Sequence, residues 1–313
     1  MSAPAIGLDA PSTGAGLARP QRTLWGDAMR RFARHRLGVL GLLLLLLFAV
    51  LAVAAPIIAP YAQEAQDLSN QFGSWSSAHW LGSDELGRDI LSRLLYAARI
   101  SLMVTVISTL LTTVVGVIVG AAAAYFGGWV ETVLMRLTDV VLSLPALALL
   151  LVVSQMLRNL TFLRQTFGAN NVSIFVIIII LTLFGWPRLA RLVHGSVLSL
   201  KQRDFVEAAR AIGARPGRII SQHLLPNAVA PIVVQTTLRL GEAVIAESTL
   251  SFLGLGIAPP FASLGNMLSG AQGYIFRNPW LAVYPGAVIF LVVLAVNFVG
   301  DALRDALDPR SRA

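Results

Sequence analysis

The chain has 313 residues, of which 56% are hydrophobic and 13% are charged, and its net charge is +8. Soluble domains carry roughly 25% charged residues, so this composition indicates an integral membrane protein. The absence of cysteine excludes disulfides, thiolate metal sites and cysteine nucleophiles. Lys201 is the only lysine and follows Leu200, so the chain contains no Gly-Lys-Ser/Thr loop for binding nucleotide phosphates.

The chain begins with a segment rich in Ala, Pro and Gly, residues 1–24, which predicts a disordered cytoplasmic tail. Residues 25–36 contain several arginines and predict a short interfacial helix. Six apolar segments follow, each long enough to cross a bilayer core of about 30 Å. We therefore predict an all-α integral membrane protein in which residues 25–313 form one transmembrane domain. The predicted spans are residues 37–58, 100–125, 137–157, 172–194, 228–250 and 281–300.

The distribution of basic residues predicts how these spans are oriented. Six spans place both termini on one side of the membrane. Arginine and lysine number seventeen in the segments on that side and six on the other, with Arg239 inside a span. Because cytoplasmic loops carry the excess of basic residues, both termini are predicted to lie in the cytoplasm.

The segment between the fourth and fifth spans, residues 204–226, is too polar to enter the bilayer and predicts two short helices with a sharp corner. Asp204 and Glu207 have the spacing of a capping box in which Asp204 is the N-cap. Gly213 predicts a left-handed cap at the end of the first helix. Pro216 predicts the start of the second helix, where its missing N–H costs nothing. The apolar stripe predicted for the first helix consists of Phe205, Ala208, Ala209 and Ile212.

The same segment resembles a known family. Glu207-Ala208-Ala209, followed by Gly213 and Leu225-Pro226, resembles the EAA loop of permease subunits of ABC importers. The ending from His223 to Asn227 resembles the dipeptide, oligopeptide and nickel branch of that family. Three further stretches resemble signatures of this branch: residues 81–102, 250–256 and 300–310. The resemblance extends from about residue 35 to residue 312.

This resemblance implies a type I importer fold with a cytoplasmic coupling-helix elbow between spans four and five. It implies the C-type permease subunit of a dipeptide or oligopeptide system in a bacterial inner membrane. The implied partners are a homologous second permease, two ABC ATPase subunits that bind ATP and Mg, an extracytoplasmic solute-binding protein and the lipid bilayer. Nucleic acid is not an expected partner, because the arginines flank apolar runs. The residues implied to couple to the ATPases are Asp204, Glu207, Ala208, Ala209, Arg210, Gly213, Arg215, Pro216, His223 and Pro226.

Three charged residues interrupt the fifth span: Arg239, Glu242 and Glu247. A central Arg costs about 2.5–3.5 kcal/mol on an insertion scale, so Arg239 is expected to face protein or a wet cavity. Glu242 lies one turn further on and is able to pair with it. Two interpretations stay open: the three residues line the solute pathway or contact a second permease, or they form a locally neutral pair within packed helices.

The outer loop before the second span carries a run of charges that includes Asp84, Arg88 and Asp89. One interpretation makes this run a gate at the outer mouth or a contact for the binding protein. The other makes it a capped helix start, with Ser83 or Asp84 as the N-cap.

The predicted function is ATP-driven import of dipeptides or oligopeptides, with no catalytic, cofactor or metal site in this chain. The four histidines are scattered, and no Gly-x-Ser-x-Gly elbow is present. An importer of nickel or another small solute shares the signatures and stays an alternative. A secondary transporter is the rival from a different class, and it would have no use for an EAA loop.

Overall fold

The computed structural model describes residues 24–168 and 170–308, and these residues are helical apart from loops and one isolated bridge between Ser83 and Asp89. Apart from Leu24, the predicted tail lies outside the described residues. The α-helices in the described part are Leu24–Arg34 (α1), Arg36–Ile58 (α2), Ile90–Phe126 (α3), Gly128–Ser143 (α4), Ala146–Arg158 (α5), Thr161–Phe167 (α6), Val172–Lys201 (α7), Asp204–Ala211 (α8), Pro216–Arg218 (α9), Leu225–Phe252 (α10), Leu264–Ala271 (α11) and Trp280–Leu307 (α12).

Five helices in this part of the chain are long and apolar enough to span a membrane: α2, α3, α7, the run Pro216–Phe252 and α12. The predicted third span is instead divided between α4 and α5, which bend by 94° relative to each other. Pro145 lies at this break, where it offers no backbone N–H and disfavours helical geometry at Leu144. If the bent pair counts as one span, the described residues hold the predicted six.

α3 begins at Ile90, ten residues before the predicted second span, because Asp89 caps it. The Asp89 carboxylate accepts hydrogen bonds from the Ser92 backbone N–H at 2.8 Å and from the Ser92 hydroxyl at 2.7 Å. Neither of the N-caps considered from the sequence, Ser83 or Asp84, holds this position. The helix therefore extends well beyond its apolar segment.

The close pairing of α3 with α7 depends on glycines in α3. A Cβ atom at Gly120 would overlap the Ala190 carbonyl oxygen and come within 2.8 Å of Val193 Cβ. At Gly116 it would lie 3.0 Å from the Leu189 side chain. These glycines lie one turn apart on α3 and let the two helices approach closely.

The helices connect two ends of the molecule, which we call the loop end and the elbow end. The loop end consists of residues 59–89 and 253–279, which contact each other where the Gln63 side chain accepts a hydrogen bond from the Ala262 N–H at 3.3 Å. The elbow end holds α1, the start of α2, the last turns of α3 and α12, and the segment from α8 to α9. There α1 packs on α12 through Phe32 and Ala302.

Candidate functional site

The first helix of the elbow, α8, starts one residue away from its predicted cap. Arg203 is the N-cap, with extended backbone angles, and no side-chain hydrogen bond caps the helix. The predicted N-cap at Asp204 and the capping box with Glu207 are therefore wrong. Both acidic residues lie in the first turn, where the positive end of the helix dipole stabilises their negative charge.

The C-terminal end of α8 matches the prediction. Gly213 has φ +79° and follows the C-cap residue Ile212. Its N–H donates to the Arg210 carbonyl at 2.9 Å, and the Ala214 N–H donates to the Ala209 carbonyl at 3.0 Å. These two bonds form a Schellman motif, which turns the chain sharply towards α9.

The buried face of α8 is not the predicted stripe. Val206 and Ala209 are buried against Ile219 and Leu224 of the following segment. Phe205, Ala208 and Ile212 of the predicted stripe are exposed, and Ile212 keeps 86% of its surface accessible. Ala209 alone of the stripe is buried, because the corner after Gly213 brings the second helix against the Val206 side. The described chain thus leaves an apolar face of the elbow uncovered.

The second half of the elbow runs without interruption into the fifth span. Pro216 opens α9 as predicted. Residues Ile219–Leu224 form a π-helical turn, and the Leu225 N–H bonds to the Ile220 carbonyl five residues back. This wide turn makes room for the ring of Pro226, which lies in the first turn of α10. Pro226 therefore neither ends the helix nor breaks it.

Lys201 fixes the elbow to the end of α3, a role that sequence reasoning missed. Its ammonium group donates to the carbonyl oxygens of Ala124 at 3.0 Å and of Tyr125 at 2.7 Å. These carbonyls belong to the last turn of α3 and have no intrahelical partner there, so a cation is favoured at this position. The Arg210 guanidinium lies 5.8 Å from the centre of the Tyr125 ring. Lys201 and Arg210 thus link the elbow region to the last turn of α3.

A charged cluster lies between α7 and α10, halfway along α10. The Arg239 guanidinium donates to the Glu242 carboxylate at 2.7 Å, which confirms the predicted pair. Arg188 of α7 approaches both oxygens of the same carboxylate at 3.4 Å. Gly185 makes room for this arrangement, since a Cβ there would lie 2.5 Å from Arg239 Nη2. Sequence reasoning missed Arg188, which is 54 positions from Glu242.

Glu247 is completely buried near the C-terminal end of α10. It accepts a hydrogen bond from the Ser251 hydroxyl at 2.7 Å, and that hydroxyl oxygen accepts from the Ile257 N–H at 3.0 Å. Glu247 thus holds the loop after α10 against the helix. Its place along a solute pathway stays a prediction.

The charged residues in the outer loop form hydrogen bonds with residues of the loop itself and of the start of α3. Asp84 accepts hydrogen bonds from Arg88 Nε at 2.7 Å and Arg93 Nη1 at 2.8 Å. Asp89 contacts His79 Nδ1 at 3.0 Å besides capping α3. Both carboxylates are buried, so they organise the loop in this conformation. Arg88 lies beside a cavity of about 390 Å³ between this loop and the segment after α10.

Two further ion pairs tie α4 to α7. Arg191 pairs with Asp139, and His194 Nε2 lies 2.8 Å from Glu131 Oε1. Arg188, Arg191 and His194 are spaced at about one turn, so one side of α7 carries a row of charged contacts. This row lies on the helix that leads into the elbow.

The comparison with known families accounts for most of the chain. Residues 113–313 match the family described as binding-protein-dependent transport system inner membrane component. Residues 23–74 match the N-terminal TM domain of oligopeptide transport permease C.

Individual relatives agree with this match. The dipeptide transport system permease protein of Bacillus subtilis is 39% identical over 94% of this chain and 88% of its own length. The glutathione transport system permease protein of Pectobacterium atrosepticum is 39% identical over 93% of each chain. The oligopeptide transport system permease protein of Bacillus subtilis is 35% identical over 95% of this chain and 93% of its own.

The fold has a solved counterpart in an inward-facing conformation of the MetNI methionine ABC transporter. The match has a TM-score of 0.55 and 24% identity, and it covers 69% of this chain and 96% of that one. This likeness shows the fold alone. The matches across both parts of the sequence lead to one conclusion: the chain belongs to the family of inner membrane components of binding-protein-dependent transport systems.

Proposed function

We propose that this chain is a permease subunit that carries dipeptides or oligopeptides into a bacterial cytoplasm, powered by separate ATPase subunits. The relatives named above are permeases for a dipeptide, an oligopeptide and glutathione, and all three of these solutes are peptides. Their names favour a peptide over nickel. Membership of the family disfavours a secondary transporter.

The observation that carries the proposal is the uncovered face of the elbow. Phe205 and Ile212 are exposed beside the charged residue Glu207 on a short helix that projects from the end of α7. An apolar surface rimmed by charge is typical of a protein contact. We infer that an ATPase subunit covers this face and pushes on it, and that Lys201 passes the movement to α3.

The complete transporter would then hold this chain, a homologous second permease, two ATPase subunits that bind ATP and Mg, and an extracytoplasmic binding protein. The excess of arginine at the elbow end supports a cytoplasmic location for the elbow and both termini. The spans would alternate between inward- and outward-open states as the two elbows move.

The test is to purify the tagged chain from its native membrane and to assay the recovered subunits for ATP hydrolysis and peptide uptake in vesicles. We expect a P-loop ATPase and a second permease to copurify, and Glu207→Arg to abolish uptake. Asp301→Arg is the control, because Asp301 is an exposed acid at the same end of the molecule. Recovery of the chain alone, with uptake in vesicles that lack ATP, would favour a secondary transporter.

A second assay distinguishes a peptide from nickel as the transported solute. Binding protein loaded with peptide should stimulate ATP hydrolysis by the wild-type complex, whereas nickel should not. Stimulation by nickel alone would replace the peptide proposal with the small-solute alternative.

A further inference from the structure

Two of the three side chains in the charged cluster between α7 and α10 remain exposed on the described chain. Arg239 is anchored inside the chain against Gly185 and neutralised by Glu242 at 2.7 Å. The Arg188 side chain nevertheless remains 64% exposed, and that of Glu242 41% exposed. Lipid covers such groups only at a cost of a few kcal/mol each, so this face is expected to meet water or protein.

The guanidinium of Arg188 has unused donors. Within the described residues it donates through Nη1 only, and at 3.4 Å that contact is longer than an ordinary hydrogen bond. A guanidinium carries five N–H donors in a planar fork, which leaves Nε and Nη2 of Arg188 without a partner in this part of the chain. The Glu242 carboxylate, in turn, is held by Arg239 and stays accessible on its other side.

Arg191 lies one turn along α7 from Arg188 and differs from it in its ion pairing. It is paired with Asp139 in a one-to-one contact between α7 and α4. Arg188 instead shares a carboxylate that Arg239 already neutralises, so the three residues carry a net charge of +1. The excess positive charge lies on Arg188, the most exposed member.

We propose that Arg188 forms a subsite for the free C-terminal end of a passing peptide, in which its guanidinium binds the α-carboxylate. A carboxylate is planar and accepts two parallel hydrogen bonds from a guanidinium fork. The net charge of +1 on the cluster favours an anionic group at this position. This inference rests on the proposed function and adds to it the chemical group that the permease recognises.

The experiment uses the complete complex in vesicles, with saturating binding protein whose loading by each peptide is measured separately. The probes are one peptide with a free carboxylate and the same peptide as its C-terminal amide. We expect the wild type to transport the free acid faster. Arg188→Gln should lower the rate ratio of acid to amide by roughly tenfold, the effect of losing a charge-assisted hydrogen bond.

Arg191→Gln is the matched control, since it removes the same charge one turn away and should leave the ratio unchanged. Arg188→Lys keeps the charge but loses the fork, so its ratio should lie between those of the wild type and Arg188→Gln. An equal ratio in the wild type and Arg188→Gln would overturn the subsite. Loss of the second permease from purified Arg188→Gln, but not from Arg191→Gln, would overturn it too, by assigning Arg188 to the subunit contact.

Failure of the proposed function gives a different result. In that case the wild-type complex itself would transport neither peptide in the presence of ATP and loaded binding protein.

Discussion

Gly213 shows how one residue sets the geometry of the elbow. Its φ of +79° is accessible to glycine at little cost, and the two Schellman bonds around it direct the chain into α9. Nothing lies within 4 Å of a Cβ added there, so the constraint comes from the backbone and not from crowding.

We predict that Gly213→Val uncouples ATP hydrolysis from peptide uptake. A non-glycine residue in the left-handed region costs about 1–2 kcal/mol, and a β-branched one more, so the corner should open and tilt the exposed face of α8. The measurement is the number of peptides imported per ATP hydrolysed by the purified complex in vesicles.

Gly217 offers the matched control for this substitution. It lies in α9 with open space around it and without a positive φ, so Gly217→Ala should keep the normal ratio of uptake to hydrolysis. Normal uptake by a stable Gly213→Val complex would contradict the assigned role of the corner.

At the scale of elements, the pairing of α3 with α7 is the contact on which the elbow depends. α7 ends in the elbow, and Lys201 holds the end of α7 to the end of α3. Along the same pair, Gly120 lies against the α7 backbone at Ala190. These contacts hold α3 and α7 together along their length, up to the last residue of α7.

We predict that Gly120→Ala destabilises the protein. The added methyl group meets a backbone carbonyl, which has no rotamer to move into, and overpacking of this kind costs about 1–3 kcal/mol. Thermal unfolding of the purified complex should show a lower midpoint. Gly195→Ala in α7 is the control, because open space surrounds that position and alanine is the better helix former. Equal midpoints for the two variants would show that α3 and α7 separate easily.

At the scale of the whole molecule, the loop end and the elbow end differ in chemistry. The loop end contains the buried carboxylates Asp84 and Asp89 and the cavity between its two segments. Among the described residues, the elbow end carries more arginine than the loop end. This asymmetry leads us to expect the loop end outside the cytoplasm and the elbow end inside.

Because the chain contains no cysteine, this orientation can be tested with single substitutions. Ser77 in the outer loop and Ala211 in α8 are both exposed. We predict that a membrane-impermeant maleimide labels Ser77→Cys in intact cells and labels Ala211→Cys only after permeabilisation. The opposite pattern would place the elbow outside and remove the ATPase from its proposed contact.

The sequence by itself determined the membrane character, the approximate spans and the turn chemistry of the elbow. Apolar content is a property of composition, and Gly213 and Pro216 act through the backbone of their own segment. The C-terminal cap of α8 and the start of α9 were therefore predictable. The signatures that indicated the family are likewise short, contiguous stretches.

The tertiary structure alone decided which faces are buried and which charges meet. In a membrane protein apolar residues face lipid and partners as well as the core, so an apolar stripe does not mark the buried side of a helix. In α8 most of the apolar stripe is accordingly exposed, while Val206 outside the stripe is buried. Arg188 contacts Glu242 only because segments distant in sequence pack together, and Lys201 contacts the end of α3 for the same reason. Spacing along one helix carries no information about such contacts.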